Sequence, residues 1–450
     1  MASVIGCGNN YRPVVSAINP VGPAAQPQKF AVAISTTGTT TNPTPGLVTF
    51  VDFSGDSVLI TAQIGVNPYY LILNSGGTTG FSLNSDHTLS TFDISTSLLQ
   101  SQILQTTLLP GANPVSIFPE GTNTYVSDPT VNIAQGVISQ FTGQPLTLQQ
   151  QFAINPAFTP VYVVGVSGAP RIYAISQRTG GGLGQVSTIE TTSNTVDPNP
   201  ITVGGGPVYG VMTADAKRAF IMNQIDGTVS VINAQTNLPD VVPAPATNPI
   251  TVGQSPLWAD FAPARNEMVV ANAGDGVHAG SVSIISIPLC SPNALPTSNP
   301  NCDPNNPVDA VGFGTVLATV PVGINPRMVG VLQDTTNTRA YVVNGGNPNL
   351  PCAPPSAAQP LGNCTVSVVN LTTNTVTATI PIPINPVTGS NPNLNGHPNY
   401  IAVTNGTPTG KVYVTSPESN FMTVIRTDID AFDLTIPLQG NGVSVRVTLP

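Results

Sequence analysis

Charge is what this sequence has least of. Only 7% of its 450 residues are Asp, Glu, Lys or Arg, and 12 basic side chains leave a formal net charge of −9. A surface that grips a nucleic-acid backbone needs clustered Lys and Arg, so nucleic acid is excluded as a partner. No apolar run approaches the roughly 20 residues that a helix needs to span a bilayer, which leaves a lipid anchor as the one route to a membrane. Histidine is reduced to His87, His278 and His397, each in a separate region. The Gly-x-Ser-x-Gly, His-Glu-x-x-His and P-loop signatures are all missing, so elbow-type hydrolysis, zincin chemistry and phosphate cradling have no motif here. Glu120, Glu190, Glu267 and Glu418 are too dispersed to suggest a paired-carboxylate site.

What is abundant is punctuation, with 42 Gly and 46 Pro separating short apolar runs. The punctuation is periodic. A Pro followed by an apolar strand recurs at Pro68, Pro114, Pro160, Pro207, Pro256, Pro326 and Pro398, at intervals of 46, 46, 47, 49, 70 and 72 residues. The two long intervals contain the Pro- and Asn-rich insertions Leu289–Gly314, Gly345–Asn363 and Asn385–Gly396. The shorter period is that of one four-stranded propeller blade. A surface of Thr, Ser, Asn, Gln and Gly in place of charge is common in exported proteins.

The stretch Ile201–Asn237 shows the unit plainly, and its strands can be named a to d. Strand a follows the Pro. Strand b reads Ala219–Asn223 or Arg339–Asn344, strand c reads Thr228–Asn233 or Thr365–Asn370, and strand d reads Thr375–Pro381. An Asn or Asp after strand c starts a tight turn through its side chain. Tyr341-Val342-Val343-Asn344, Val366-Ser367-Val368-Val369-Asn370, Thr373-Asn374-Thr375-Val376 and Pro321-Val322-Gly323-Ile324-Asn325-Pro326 resemble the YVTN-type β-propeller repeat. The resemblance runs from about Gln28 to the C-terminus and is strongest from Ile201 onward. It implies a WD40-like all-β ring of the kind found in bacterial exported and archaeal surface-layer proteins. It is nearly silent on activity.

Gln28–Ser35, Leu47–Phe53 and Ser57–Ile64 read as strands b, c and d of a first unit that lacks its own strand a. The C-terminal Val443–Thr448 supplies it, with Gly442 in the Pro position. Closure in this way removes two exposed strand edges. The expectation is a single propeller over residues 28–450, preceded by a flexible leader over 1–27. Eight blades are expected, and seven is the alternative.

Five cysteines are present. Cys290 and Cys302 are twelve residues apart, as are Cys352 and Cys364. Four cysteines allow three pairings; local bridges are the simplest, and zinc is the rival, opposed by the sequence distance of His278 and His397 from the cysteines. Disulfides would place the chain in an oxidising compartment. Val4-Ile5-Gly6-Cys7-Gly8 resembles a bacterial lipoprotein box, although only six residues precede Cys7 where a signal peptide needs more. The expected location is therefore extracytoplasmic: periplasm, outer membrane or cell surface as a lipoprotein, or secreted.

In a propeller the d–a and b–c connections share one face, here termed upper. Insertions on one face of a repeat array often build its binding site. A second constellation is the residue two after each blade-starting Pro: Tyr70, Ser116, Tyr162, Tyr209, Trp258, Met328 and Tyr400, with Ser444 in the closing strand. Five of eight are aromatic in a chain that is 6% aromatic, so a ring near the upper end of the channel is expected. Such a ring either packs blade against blade or binds a ligand. With His397 beside the last insertion, these aromatics are the upper-face binding candidates. Asp428, Asp430 and Asp433 are a candidate Ca²⁺ cluster or a solvated turn, and no other cofactor is implied. Asp260 and Asn272 are residues that a metal or quinone site at the channel mouth would use, but no complete set assembles. The expected function is a non-enzymatic, monomeric binding or surface module for a protein, peptide or glycan. The alternative is a lactonase-like hydrolase or a quinoprotein-like oxidoreductase.

Overall fold

The computed structural model describes residues 29–38, 41–95, 97–132, 135–288, 312–352, 363–382, 397–406 and 409–448. Cys7 and the leader, Cys290 and Cys302, and the connection 385–396 lie outside them. Eight antiparallel sheets form a ring. Their inner strands are Pro68–Leu73, Ser116–Glu120, Phe158–Gly165, Pro207–Met212, Pro256–Ala262, Pro326–Val331, Tyr400–Thr404 and Asn441–Val447. Each touches the next, and Asn441–Val447 touches both Tyr400–Thr404 and Pro68–Leu73, so the ring is complete. The last strand pairs with Phe30–Thr36, Val445 opposite Ala33. The blade closed by both termini is blade 1, and the rest follow in chain order to blade 8.

Burial explains the composition of the strands. The second strands of blades 5 and 6, Arg218–Asn223 and Glu267–Asn272, are buried at every position. They are covered on both faces by neighbouring blades. The outer strands alternate instead, as in Thr147–Ala153, because one face meets solvent. There is no common core. Each apolar cluster lies between adjacent blades: Met328, Tyr341 and Val343 of blade 7 pack with Ile401, Val412 and Val414 of blade 8. Stability is thus a sum of neighbour interfaces.

Two repeating contacts account for the repeating residues. The Asn that ends strand b is buried and ties three strands together. Asn344 Nδ2 donates to Thr365 Oγ1 at 3.0 Å and Ser367 Oγ at 2.9 Å. Asn223 does the same with Thr228 and Ser230, whose Oγ also accepts the Gly204 amide of the previous outer strand. The blade-starting Pro packs on a Gly at the head of strand c in the preceding blade. A Cβ on Gly280 would lie 2.4 Å from Pro326 Cδ, and one on Gly184 would lie 2.4 Å from Pro207 Cγ.

Blades 4 and 5 depart from the regular plan. Their outer strands are each split, into Thr195–Val196 and Ile201–Gly205, and into Leu238–Pro239 and Ile250–Thr251. Pro198 and Pro200 interrupt the first, and Pro243, Pro245 and Pro249 the second, since Pro cannot donate to a strand ladder. The stretch Ile201–Asn237 therefore begins in the outer strand of blade 4 and ends after strand c of blade 5.

Candidate functional site

The aromatic residues expected at the channel do converge. Every inner strand that starts on Pro carries a bulge just after it, as between Pro207 and Tyr209, and this turns the second residue toward the channel. The Tyr70 and Tyr162 hydroxyls lie close enough for each to perturb the titration of the other. Ser116, on the blade between them, is small enough to let them meet. Tyr162 lies 4.9 Å from Tyr209, which stacks on Trp258 at 3.9 Å. Burial drives the Tyr70, Tyr162 and Tyr209 hydroxyls well above their ordinary pKa, so all three are neutral donors.

The layer is closed by Arg446, which the sequence reading did not single out. Its guanidinium carbon lies 5.3 Å from the Tyr400 ring centroid and 5.9 Å from that of Trp258, so the contacts cross the channel from blade 1 to blade 6. Nη1 donates to the Val445 carbonyl at 3.3 Å. Among the described residues no carboxylate lies within ion-pair distance of Arg446. A basic side chain four residues after Gly442, in the closing strand, was the available signal. It stands where other blades carry Ile72, Val211 or Ala402.

Beside this layer is a cavity of about 700 Å³. Its walls include Ile72, Val211, Val329, Val331, Ile401 and Val403, with Arg446, Asp260 and Gln333 as the polar groups other than tyrosine. Each wall residue lies at or beyond the second residue of its inner strand, and none comes from a d–a connection. The cavity therefore extends from the aromatic layer toward the lower, a–b end. Among the described residues, those of the inserted upper loops do not border it.

Asp260 is held within the wall. Its Oδ2 accepts the Val331 amide at 2.7 Å and its Oδ1 accepts the Phe261 amide at 2.9 Å. Desolvation in the channel raises its pKa to about 6, against the pull of those two amides. Gln333 Nε2 is likewise occupied by the Phe261 carbonyl at 2.9 Å. Asn272 is a strand-tying Asn bonded to Ser281 and Ser283, away from this wall.

His397 lies elsewhere, on the upper face. Its Nε2 is 3.1 Å from both the Asn347 and Leu350 carbonyls. Beside it the Cys352–Cys364 disulfide closes the inserted loop of blade 7. Cys352, Cys364 and His397 form a cluster whose ligand atoms lie within 4.8 Å of one another. Sequence distance had argued against such a grouping; the fold overrides it. As a disulfide the sulfurs are poor metal ligands, because a thiolate is the ligating form. The acidic cluster near the C-terminus is engaged otherwise. Asp428 pairs with Arg426 at 2.6 Å, and Asp430 pairs with Arg339 at 3.1 Å. His87 Nδ1 contacts the Ala112 carbonyl, and His278 pairs with Asp275 on the surface. Among the described residues no helix is long and apolar enough to cross a membrane.

No family model matches the chain, and no curated protein matches it. Solved structures do. The chain is similar to AztD of Citrobacter koseri, at 12% identity over 93% of this chain and 97% of that one, with a TM-score of 0.54. It is similar to the dihydro-heme d1 dehydrogenase NirN in complex with DHE, at 9% identity over 96% and 77%, with a TM-score of 0.61. A putative 6-phosphogluconolactonase of Bacteroides fragilis is similar at 14% identity over 95% and 99%, with a TM-score of 0.52. At such identities the likeness is one of fold, and the fold is an eight-bladed β-propeller.

Proposed function

We propose that this protein is an exported, non-enzymatic binding propeller of the YVTN type whose ligand site is the channel cavity beside the aromatic layer. The observation that carries the reading is Arg446, a cation set among aromatic rings on the wall of a mostly apolar cavity of about 700 Å³. Concave, mostly apolar pockets with a few placed polar groups are the usual form of small-molecule sites. Among the described residues the wall supplies no His, Cys, Ser or Lys and one carboxylate, Asp260, which already accepts two amides. A hydrolase of the lactonase kind or a quinoprotein would need a fuller set of acids or metal donors at that mouth.

Export is supported by the Cys352–Cys364 disulfide, which belongs to an oxidising compartment. Lipidation at Cys7 is part of the same proposal, as is a monomeric state. The test is native mass spectrometry of protein purified with its natural upstream sequence. A small molecule retained by the wild type and lost from Val211→Trp, which pushes an indole into the cavity, is the expected result. Turnover of a lactone panel with stoichiometric Ca²⁺ overturns the non-enzymatic reading. An unmodified Cys7 in mature protein overturns the anchor.

A second reading places a protein, peptide or glycan partner on the upper face. It is favoured by the buried Cys352–Cys364 bridge and by Asn363 beside it, whose Nδ2 donates to the Leu350 carbonyl at 2.8 Å and the Pro351 carbonyl at 3.0 Å.

A further inference from the structure

Resting on the cavity reading above, we infer that the ligand is a singly charged carboxylate with an apolar body, its carboxylate held by Arg446. A guanidinium presents five donors in a planar fork that matches a carboxylate or phosphate in bidentate fashion. One of those donors, on Nη1, is spent on the neighbouring Val445 carbonyl. No other hydrogen bond or ion pair engages the guanidinium among the described residues; its remaining contacts are the rings of Trp258 and Tyr400. Rings hold a cation in place without consuming its in-plane N–H groups. Arg446 is thus oriented yet still able to donate.

The charge of the cavity decides between anions. Arg446 is its one cation and Asp260 its one acid. A dianionic phosphate normally draws on more than one positive group or on a nest of amides, and Asp260 would oppose the second charge. A monoanion is matched by one fork. The body of the ligand follows from the rest of the wall. Ile72, Val211, Val329, Ile401 and Val403 offer nothing to a sugar hydroxyl. The amide of Gln333 and the oxygens of Asp260 are already committed to backbone partners. An apolar chain or fused ring is what such a wall buries favourably.

The experiment compares three probes with one body: 2-naphthoate, the neutral 2-naphthamide and 2-naphthyl phosphate, titrated calorimetrically into the full chain. Naphthoate is expected to bind one to one and more tightly than the amide by about tenfold or more, the range of a charge-assisted hydrogen bond. Arg446→Gln should bring naphthoate down to the level of the amide and leave the amide unchanged. If that variant does not fold, Arg446→Lys keeps the charge without the fork and should weaken naphthoate alone, by a smaller factor. Val211→Trp should remove both. Equal binding of acid and amide, or tighter binding of the phosphate, overturns the carboxylate class and leaves the cavity reading standing. Failure of all three probes to bind at millimolar concentration, or binding unaltered in Val211→Trp, overturns the cavity reading itself.

Discussion

The Tyr341 hydroxyl donates to Oδ1 of Asp430 at 2.6 Å, joining blade 7 to blade 8. Asp430 sits in the turn after strand c with φ near 49°, and Arg339, two residues before Tyr341, bonds to the same oxygen at 3.1 Å. The arrangement recurs. Tyr173 and Arg171 of blade 4 both reach Asn237 in the turn of blade 5 at 2.9 Å. Tyr413 and Lys411 of blade 8 both reach Asp56 in the turn of blade 1, across the closure of the ring. A basic residue, a spacer and a Tyr on strand b thus latch blades 4, 7 and 8 to a left-handed Asp or Asn on the blade that follows.

Tyr341→Phe is expected to lower stability by about 1–2 kcal/mol, since a buried hydrogen bond to a charged acceptor is lost while Arg339 still pairs with Asp430. Tyr413→Phe should cost less, because its contact is longer, at 3.5 Å. Chemical denaturation of the two variants side by side checks the order. A larger loss for Tyr413→Phe would remove the latch as the explanation.

Deleting Val443–Pro450 strips the inner strand from blade 1 and exposes two strand edges. The truncated chain should melt well below the full chain and associate in a concentration-dependent way, as unpaired edges do. It should also lose the ligand site, because Arg446 goes with the strand. Light scattering and thermal melts check both. A truncation that melts like the full chain would contradict the pairing of Val445 with Ala33.

Arg218 and Asp240 form a buried ion pair at 2.8 Å, with the guanidinium carbon 4.8 Å from the Phe313 ring centroid. Burial raises the Asp240 pKa while Arg218 opposes the rise. Removing one partner leaves a desolvated charge behind, so Asp240→Ala should cost about 3–5 kcal/mol. The double variant Arg218→Met with Asp240→Ala should recover part of that loss. Denaturation midpoints for the single and double variants test the coupling. Simple additivity would show that the two groups do not act as a pair.

The fold was legible because its signals are local. The interval between prolines, the Asn or Asp after strand c and the Gly442 register at the C-terminus are all read along the chain. Eight blades and the closing strand followed from them. The site was only half legible for the same reason. The second residue of each inner strand could be aligned by counting, so Tyr70, Tyr162, Tyr209, Trp258 and Tyr400 were found. Arg446 breaks the repeat rather than following it, and its partners Trp258 and Tyr400 lie on blades 6 and 8. The side of the aromatic layer on which the cavity lies is set by side-chain packing across the channel, which no sequence interval encodes. The meeting of His397 with Cys352 and Cys364 joins residues of two different blades, which no local interval encodes.

Asp260 gives the protein a pH response with a definite sign. Its folded pKa is raised to about 6 from an ordinary 3.8, so the native state holds this proton more tightly than the unfolded chain. The contribution of Asp260 to stability is therefore fully present below about pH 4 and is lost as pH rises through about 6. Asp260→Asn should flatten that part of a stability-versus-pH profile, although the Asn amide can accept only one of the two backbone N–H groups and should lower the whole curve. Ligand binding should follow the same proton. Arg446, Tyr70, Tyr162 and Tyr209 are the other ionisable groups among the described residues of the wall, and the three tyrosines stay neutral through burial. Between pH 7.5 and 5 the cavity thus gains net positive charge from Asp260, and 2-naphthoate should bind several-fold more tightly, because a negative charge on the same wall is neutralised. The neutral amide should show no such change, and neither should naphthoate binding to Asp260→Asn. Calorimetric titrations at the two pH values decide the matter: carboxylate binding that weakens as pH falls to 5 would mean that Asp260 does not share the cavity with the ligand.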